Sequence, residues 1–283
     1  MARGKGPVGR PGRGALAWRP KVVVCDVDGT ITHKDRRIDG EAVEALREAE
    51  AAGVPVLFAT GNVLPIAYAL SYLVGTSGPI VAENGGLVYF RGTVERHAAS
   101  EGVERVAKDV ESALGLTRLF TDRWRVTEVA FPEARSTFDE VLKAAAGHPE
   151  RARVRIERTG FAVHIMDAKA TKFSGVARAL ELMGRSPRDA LAIGDSDNDV
   201  DMIEGCHAGV ALGDGSSRLK AAADFVANAP AGKGIRQALE AFGVLRARGT
   251  RPRGARGQPT RASKARRPRS RRTRQRPPRR PGR

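Results

Sequence analysis

Short apolar runs that stop on acidic or polar residues constrain this chain more than anything else in it. "KVVVCD" (21–26) has no polar side chain between Lys21 and Asp26, and "VPVLFA" (54–59), "PIVAEN" (79–84) and "ALAIGD" (190–195) follow the same pattern. A strand with one wet face alternates apolar and polar residues. A run without alternation fits a strand covered on both faces, the environment of a parallel sheet. Helical periodicity lies between these runs. Asp39 is placed to cap a helix over "GEAVEALREAEAA" (40–52), which Gly53 ends. "PIAYALSYLV" (65–74) opens on a proline, tolerated in a first helical turn where the missing N–H would have no partner. The rhythm resumes late in the chain with a helical "FSGVARALELM" (173–183) and the strand-like "AGVAL" (208–212) and "DFVA" (224–227). This alternation predicts an α/β fold with a doubly wound, mostly parallel sheet.

The stretch between the two halves has a different texture. "EGVERVAKDVESALG" (101–115) and "EARSTFDEVLKAAAG" (133–147) are amphipathic, while "WRVTEVAF" (124–131), "ARVRIER" (152–158) and "FAVHIMD" (161–167) read as strands. Residues 85–166 are therefore expected to form a small inserted α+β domain, dividing the main domain into 21–84 and 167–245. The two ends belong to neither. Residues 1–20 are rich in Gly, Pro and Arg, and 246–283 carry 17 Lys/Arg with no acid, a composition that cannot bury a core. The net charge of +17 is thus a property of the ends: residues 22–245 hold 26 basic against 32 acidic side chains. Basic tails suit nonspecific RNA or polyanion contact, but they lack interleaved aromatics, and the mildly acidic body offers no basic face. No apolar run approaches the roughly 20 residues of a membrane span, and no signal-peptide core is present, so a cytoplasmic protein without membrane contact is expected. Cys25 and Cys206 form no disulfide framework.

Asp26 and Asp28 follow the first apolar run, where an open parallel sheet binds ligands. Asp28-Gly29 is also a hairpin signal, and alone the pair could be a solvated turn. Thr60-Gly61-Asn62 closes the second run with a hydroxyl and free backbone amides suited to phosphate. Gly194-Asp195-Ser196-Asp197-Asn198-Asp199 closes a later one with three acids, and Lys172 heads a helix before it. Strand ends that converge would gather four or more carboxylates, a hydroxyl and an ammonium. Such a crowd of like charges needs a cation, and an oxygen-rich set favours Mg²⁺.

In this order, Asp26-Val27-Asp28-Gly29-Thr30, Thr60-Gly61-Asn62, Lys172 and Gly194 to Asp199 resemble the four motifs of the haloacid dehalogenase-like phosphohydrolases. The insertion between the second and third motifs resembles the C2-type cap. "TGNVLPIAYAL" (60–70), "ENGG" (83–86) and "DRWRVTE" (122–128) are similar to archaeal-type phosphoglycolate phosphatases. The resemblance covers residues 21–243. It departs where a Gly-Asn-Ala turn is replaced by Gly213-Asp214-Gly215, and Lys169 stands three residues from the better-spaced Lys172. It implies a Mg²⁺-dependent hydrolysis of a small phosphate monoester, 2-phosphoglycolate first and a sugar phosphate or phosphoglycerate second. Asp26 would be the nucleophile, forming an aspartyl-phosphate, and Asp28 the general acid and base. Asp26, Asp195, the Asp28 carbonyl and Asp199 would surround the metal. Thr60, Gly61, Asn62 and Lys172 would bind the phosphoryl group. In the cap, Arg123 and Arg125 flank Trp124 in a strand-like stretch, and either is suited to read a carboxylate. A polyanion-binding protein acting through its tails is the reading from another class.

Overall fold

The first apolar run is buried at every position, and the rest of the molecule is arranged around it. The computed structural model describes residues 18–99, 101–133, 137–159 and 162–247. The chain runs through β1 (Val22–Cys25), α1 (Gly40–Ala51), β2 (Val56–Ala59), α2 (Leu64–Val74), β3 (Ile80–Ala82), β4 (Leu87–Phe90) and β5 (Thr93–Arg96). A second group follows: α3 (Glu101–Leu114), β6 (Glu128–Pro132), α4 (Thr137–Ala145), β7 (Val154–Arg158) and β8 (Ala162–Asp167). The chain then returns through α5 (Lys172–Leu182), β9 (Ala190–Gly194), α6 (Val200–Gly205), β10 (Ala208–Ala211), α7 (Ser217–Ala222), β11 (Phe225–Val226) and α8 (Ala231–Ala241).

Eight strands form one sheet in the order β11-β10-β9-β1-β2-β3-β4-β5. All neighbours from β11 to β3 are parallel, while β4 and β5 are antiparallel additions. The twofold period of a strand divides its apolar residues between two layers. Val23 and Cys25 pack with Ala42, Leu46 and Ala49 of α1 and with Ile235 and Leu239 of α8. Val22 and Val24 pack with Val176 and Leu180 of α5 and with Met202 and Ile203 of α6. Both faces are therefore dry, as the lack of alternation predicts. Each such buried aliphatic side chain stabilises the fold by roughly 1.5–3 kcal/mol. Helix boundaries follow local chemistry. The Asp39 carboxylate accepts the Ala42 amide at 2.9 Å to start α1, and Thr171 and Ser174 form a reciprocal capping box at the start of α5.

The second sheet, β6-β8-β7, is antiparallel, and α3 and α4 cover one face of it through Val103, Val106, Val110 and Val141. It is smaller than residues 85–166 suggest, because β4 and β5 pair into the large sheet instead. Within it, the strand expected over 124–131 begins only at Glu128. Residues Phe120–Trp124 form a single turn of 3₁₀ helix, stitched by the Asp122 carboxylate accepting the Ala130 amide at 2.8 Å. At the N-terminal end, Trp18 stacks on His207 at 4.2 Å and meets Phe242 edge-on. Packing therefore begins before residue 21. The remainder of the tails expected over 1–20 and 246–283 lies outside the described residues. Among those described, no helix is long and apolar enough to cross a membrane.

Candidate active site

Sheet register brings the motif residues together. Cys25 pairs with Phe58 on one side and Ile193 on the other. The chain just beyond each partner, at Asp26, Thr60 and Asp195, therefore emerges at one sheet edge. This is also where strand order reverses, with β2 following outward on one side and β9 on the other. Lys172 reaches the same edge from the first turn of α5. Its Nζ donates to Asp26 Oδ1 at 2.7 Å and to Asp199 Oδ1 at 2.6 Å, and all three side chains are buried. Asp199 spends its other oxygen on the amides of Asp195 and Ser196, both at 3.1 Å. Asp26 Oδ2, by contrast, is buried and accepts no hydrogen bond.

Asp28 faces the second motif. Its Oδ2 accepts from Asn62 Nδ2 at 2.6 Å and from the Thr60 hydroxyl at 3.4 Å, and the Asn62 amide donates to Thr60 Oγ1 at 3.0 Å. Gly29 is required on two counts: its φ is +84°, and a Cβ there would collide with the Asp195 carboxylate. Thr30 adds a hydroxyl to Asp195 Oδ1 at 3.2 Å. The turn and the acid pair thus coexist. The Val27 carbonyl gathers the amides of Thr30, Ile31 and Thr32, and a Thr32–Ile38 bridge then closes a short flap.

Burial and mutual repulsion govern the charges. Desolvation, then the neighbouring Asp199, raises the Asp26 pKa well above an ordinary carboxyl, with Lys172 opposing. The same two causes bring Asp195 to about 7. Desolvation raises Asp28 as well, against Lys172, Arg36 and the hydrogen bonds from Thr60 and Asn62. Burial alone would discharge Lys172, but Asp199 and Asp26 outweigh it and keep the ammonium charged. These shifts describe carboxylates short of positive charge. Oxygens of Asp26, Asp195 and Asp199 lie within 4.8 Å of one another. With Asp26 Oδ2 unpartnered, this hard-oxygen set fits a divalent cation such as Mg²⁺. Asp199 has both oxygens committed, so it suits holding the others in place better than ligation.

A cavity of about 360 Å³ opens over these groups. Asp26, Asp28, Gly61, Lys172 and Asp195 line it, together with the flap residues His33, Lys34 and Arg36. From the inserted domain it receives Thr159. Arg123 and Arg125 stand outside this lining and do not share a strand face. The 3₁₀ turn sends Arg123 over the rings of Phe120 and Trp124, at 4.3 and 5.4 Å. Arg125 turns inward, where its Nη1 donates to Gly61 O at 3.0 Å and pairs with Glu128. Lys169 is exposed and takes no part, whereas Lys172 does.

Several contributors lie outside the four motifs, and the stretches ENGG and DRWRVTE, singled out by resemblance, gave no role to Glu83, Asn84, Thr127 or Glu128. The Glu83 carboxylate accepts the amides of Val126 and Thr127 and the Thr127 hydroxyl, tying the inserted domain to the sheet edge. Asn84 and His164 both bond Glu128, and burial holds His164 neutral, with its pKa near 3. Asp201 caps α5 from α6 through the Phe173 amide at 3.0 Å. The strand-end acids belong to recurring local patterns. These residues become partners only after two distant segments meet.

Comparison with known proteins bears on the family and the fold. A family model described as haloacid dehalogenase-like hydrolase matches residues 23–123 and 117–239. A phosphoglycolate phosphatase of Methanothermobacter thermautotrophicus is 36% identical over 222 residues, 78% of this chain and 98% of that protein. One from Archaeoglobus fulgidus is 34% identical over 235 residues, covering 81% of this chain and all of the relative. The crystal structure of Thermoplasma acidophilum 0175 superimposes with a TM-score of 0.74 at 29% identity, over 81% of this chain and 100% of its own. A subclass IIB sugar phosphatase matches with a TM-score of 0.66 at 21% identity, over 79% and 99%, a likeness of fold.

Proposed function

The chain belongs to the haloacid dehalogenase-like hydrolases, and on that premise we propose that it is a Mg²⁺-dependent phosphatase of a small phosphorylated acid, 2-phosphoglycolate first. One observation carries the reaction: Asp26 has one oxygen clamped by Lys172 and the other buried, unpartnered and beside the cavity. A carboxylate held this way is oriented as a nucleophile. The archaeal relatives named phosphoglycolate phosphatase support the substrate.

In the proposed reaction one oxygen of the Asp26 carboxylate attacks phosphorus while the other would face the metal, and the bond to the leaving oxygen breaks as the aspartyl-phosphate forms. Asp28 gives its proton to that oxygen. Its raised pKa supports a protonated carboxyl, and Asn62 and Thr60 hold it toward the second motif. Water then attacks the aspartyl-phosphate and returns a proton to Asp28, releasing phosphate and Asp26. Lys172 and the Thr60-Gly61-Asn62 turn would receive phosphoryl oxygens. Asp26, Asp195 and the Asp28 carbonyl would hold Mg²⁺, with Asp199 fixing their positions; the ion supplies charge neutralisation for the phosphoryl group.

Phosphate release should be measured across phosphorylated acids and sugars, with and without EDTA, for wild type and Asp26→Asn. The expected result is chelator-sensitive turnover favouring phosphoglycolate, and a loss of about a thousandfold or more in Asp26→Asn. Full activity in that variant, or indifference to EDTA, overturns the mechanism. Preference for a sugar phosphate replaces the substrate and leaves the chemistry standing.

A further inference from the structure

The cavity's lining combines the acids of the strand ends with basic side chains, and apart from Lys172 these come from the flap rather than from the inserted domain. His33, Lys34 and Arg36, all within eight residues after Asp28, line the cavity on a loop whose shape is fixed from both ends. The Arg36 amide donates to His33 O at 2.8 Å, the His33 amide to Arg37 O at 2.9 Å, and the Asp39 amide to Ile31 O at 2.9 Å. The His33 ring reaches Asp39 Oδ2 at 3.0 Å, so the carboxylate that caps α1 also anchors the flap.

Arg36 itself sits at φ +65°, a left-handed conformation that a non-glycine residue adopts only at a cost of about 1 kcal/mol or more. A glycine would relieve the turn, yet a long cation occupies it. Arg36 and Asp28 line the same cavity, so the flap cation shares the space in which a leaving group's oxygen would be protonated. In phosphoglycolate the carboxylate is one methylene from that oxygen, a separation too short to need a reader deep in another domain.

We propose that Arg36, with Lys34 beside it, forms a carboxylate subsite on the flap and determines the preference for phosphorylated acids over uncharged phosphate esters. This rests on the phosphatase reading above and names the part of the site that selects within it. The cap arginines fit the role less well. Arg123 lies against two aromatic rings outside the cavity lining, and Arg125 is buried against Glu128 and the Gly61 carbonyl, although its Nε and Nη2 have no partner.

The test uses binding, so that it does not depend on which substrate is turned over. Calorimetric titration of the full chain with Mg²⁺ would compare phosphonoacetate, which carries a phosphonate and a carboxylate one methylene apart, with methylphosphonate, which lacks the carboxylate. Wild type should favour phosphonoacetate by about tenfold or more, the worth of a charge-assisted hydrogen-bonded pair. Arg36→Ala should bring the ratio of the two affinities close to one, and Arg36→Lys should restore part of it. A wild-type protein that does not discriminate, or a ratio unchanged in Arg36→Ala, overturns the proposal. So does a ratio that collapses in Arg123→Ala but persists in Arg36→Ala. If the ratio behaves as expected while phosphoglycolate is not hydrolysed, the subsite stands and the substrate assignment falls.

Discussion

Lys172 carries its ammonium into a place where Asp26 and Asp199 would otherwise face each other without a counter-charge. Its two short bonds share the cation between a residue of the first motif and one of the fourth. Removing one member of a buried ion network leaves the others desolvated and unpaired, at a cost of about 3–5 kcal/mol. Lys172→Met, close in length and unable to donate, should therefore lower the unfolding free energy by that order and abolish phosphate release. Adding Asp199→Asn to Lys172→Met removes one of the two stranded charges. The double variant should regain stability without regaining activity, because Asp26 still lacks its clamp. Denaturant titration of wild type and the two variants checks this, and a double variant no more stable than Lys172→Met would show that the carboxylates are not stranded at all.

Elements decide which of these residues meet, and here the reach of sequence reading can be seen. The parallel strands were legible because their burial on both faces is written locally, as runs such as Val22–Cys25 without a polar residue. The ends of those runs were legible because a parallel sheet delivers them to one edge. The destination of Leu87–Arg96 was not. A hairpin turning at Arg91-Gly92 carries the same local signal whether it joins the large sheet or the inserted one, and the choice is made by Ile80–Ala82, a partner beyond the Gly85-Gly86 turn. Arg125 was misplaced for a similar reason. Its alternation with Arg123 mimics a strand, while the Asp122 carboxylate, by taking the Ala130 amide, winds Phe120–Trp124 into a turn. Gly85 shows how tightly the joint between elements is fitted. It sits at φ +100°, and a Cβ there would run into the Thr171 carbonyl, the cap of the helix that carries Lys172. Gly85→Ala should cost more than the roughly 1 kcal/mol of an ordinary left-handed position, since backbone rather than a movable side chain is struck. It should also depress kcat more than it raises KM, because moving Thr171 moves Lys172. A variant with wild-type melting temperature and turnover would contradict the packing described.

At the scale of the whole molecule, charge is separated along the chain. All 32 acidic residues lie between Asp26 and Glu240, and the excess of Lys and Arg lies outside that span. Residues 18–247 hold 29 basic against 32 acidic side chains, a net charge of −3, whereas the full chain carries +17. Trp18 packs on His207 and Phe242, and Leu245 is buried, so a cut between residues 17 and 18 and another between 247 and 248 would spare the packed residues. That truncation removes 20 basic residues and no acid. Every group argued to take part in hydrolysis lies inside it, and at physiological salt the tails' charges act over only about 8 Å. The truncated chain should therefore keep kcat and KM for phosphoglycolate within about twofold. Its affinity for a long polyanion such as single-stranded RNA should behave differently. The full chain should bind with a logarithmic affinity that falls steeply with logarithmic salt, each neutralised phosphate on a single strand adding about 0.7 to the slope. The truncated body, net acidic, should show no measurable binding at the same salt. Binding that survives truncation would place a polyanion surface on the folded body. A loss of phosphatase activity would make the ends part of the enzyme rather than an independent electrostatic attachment.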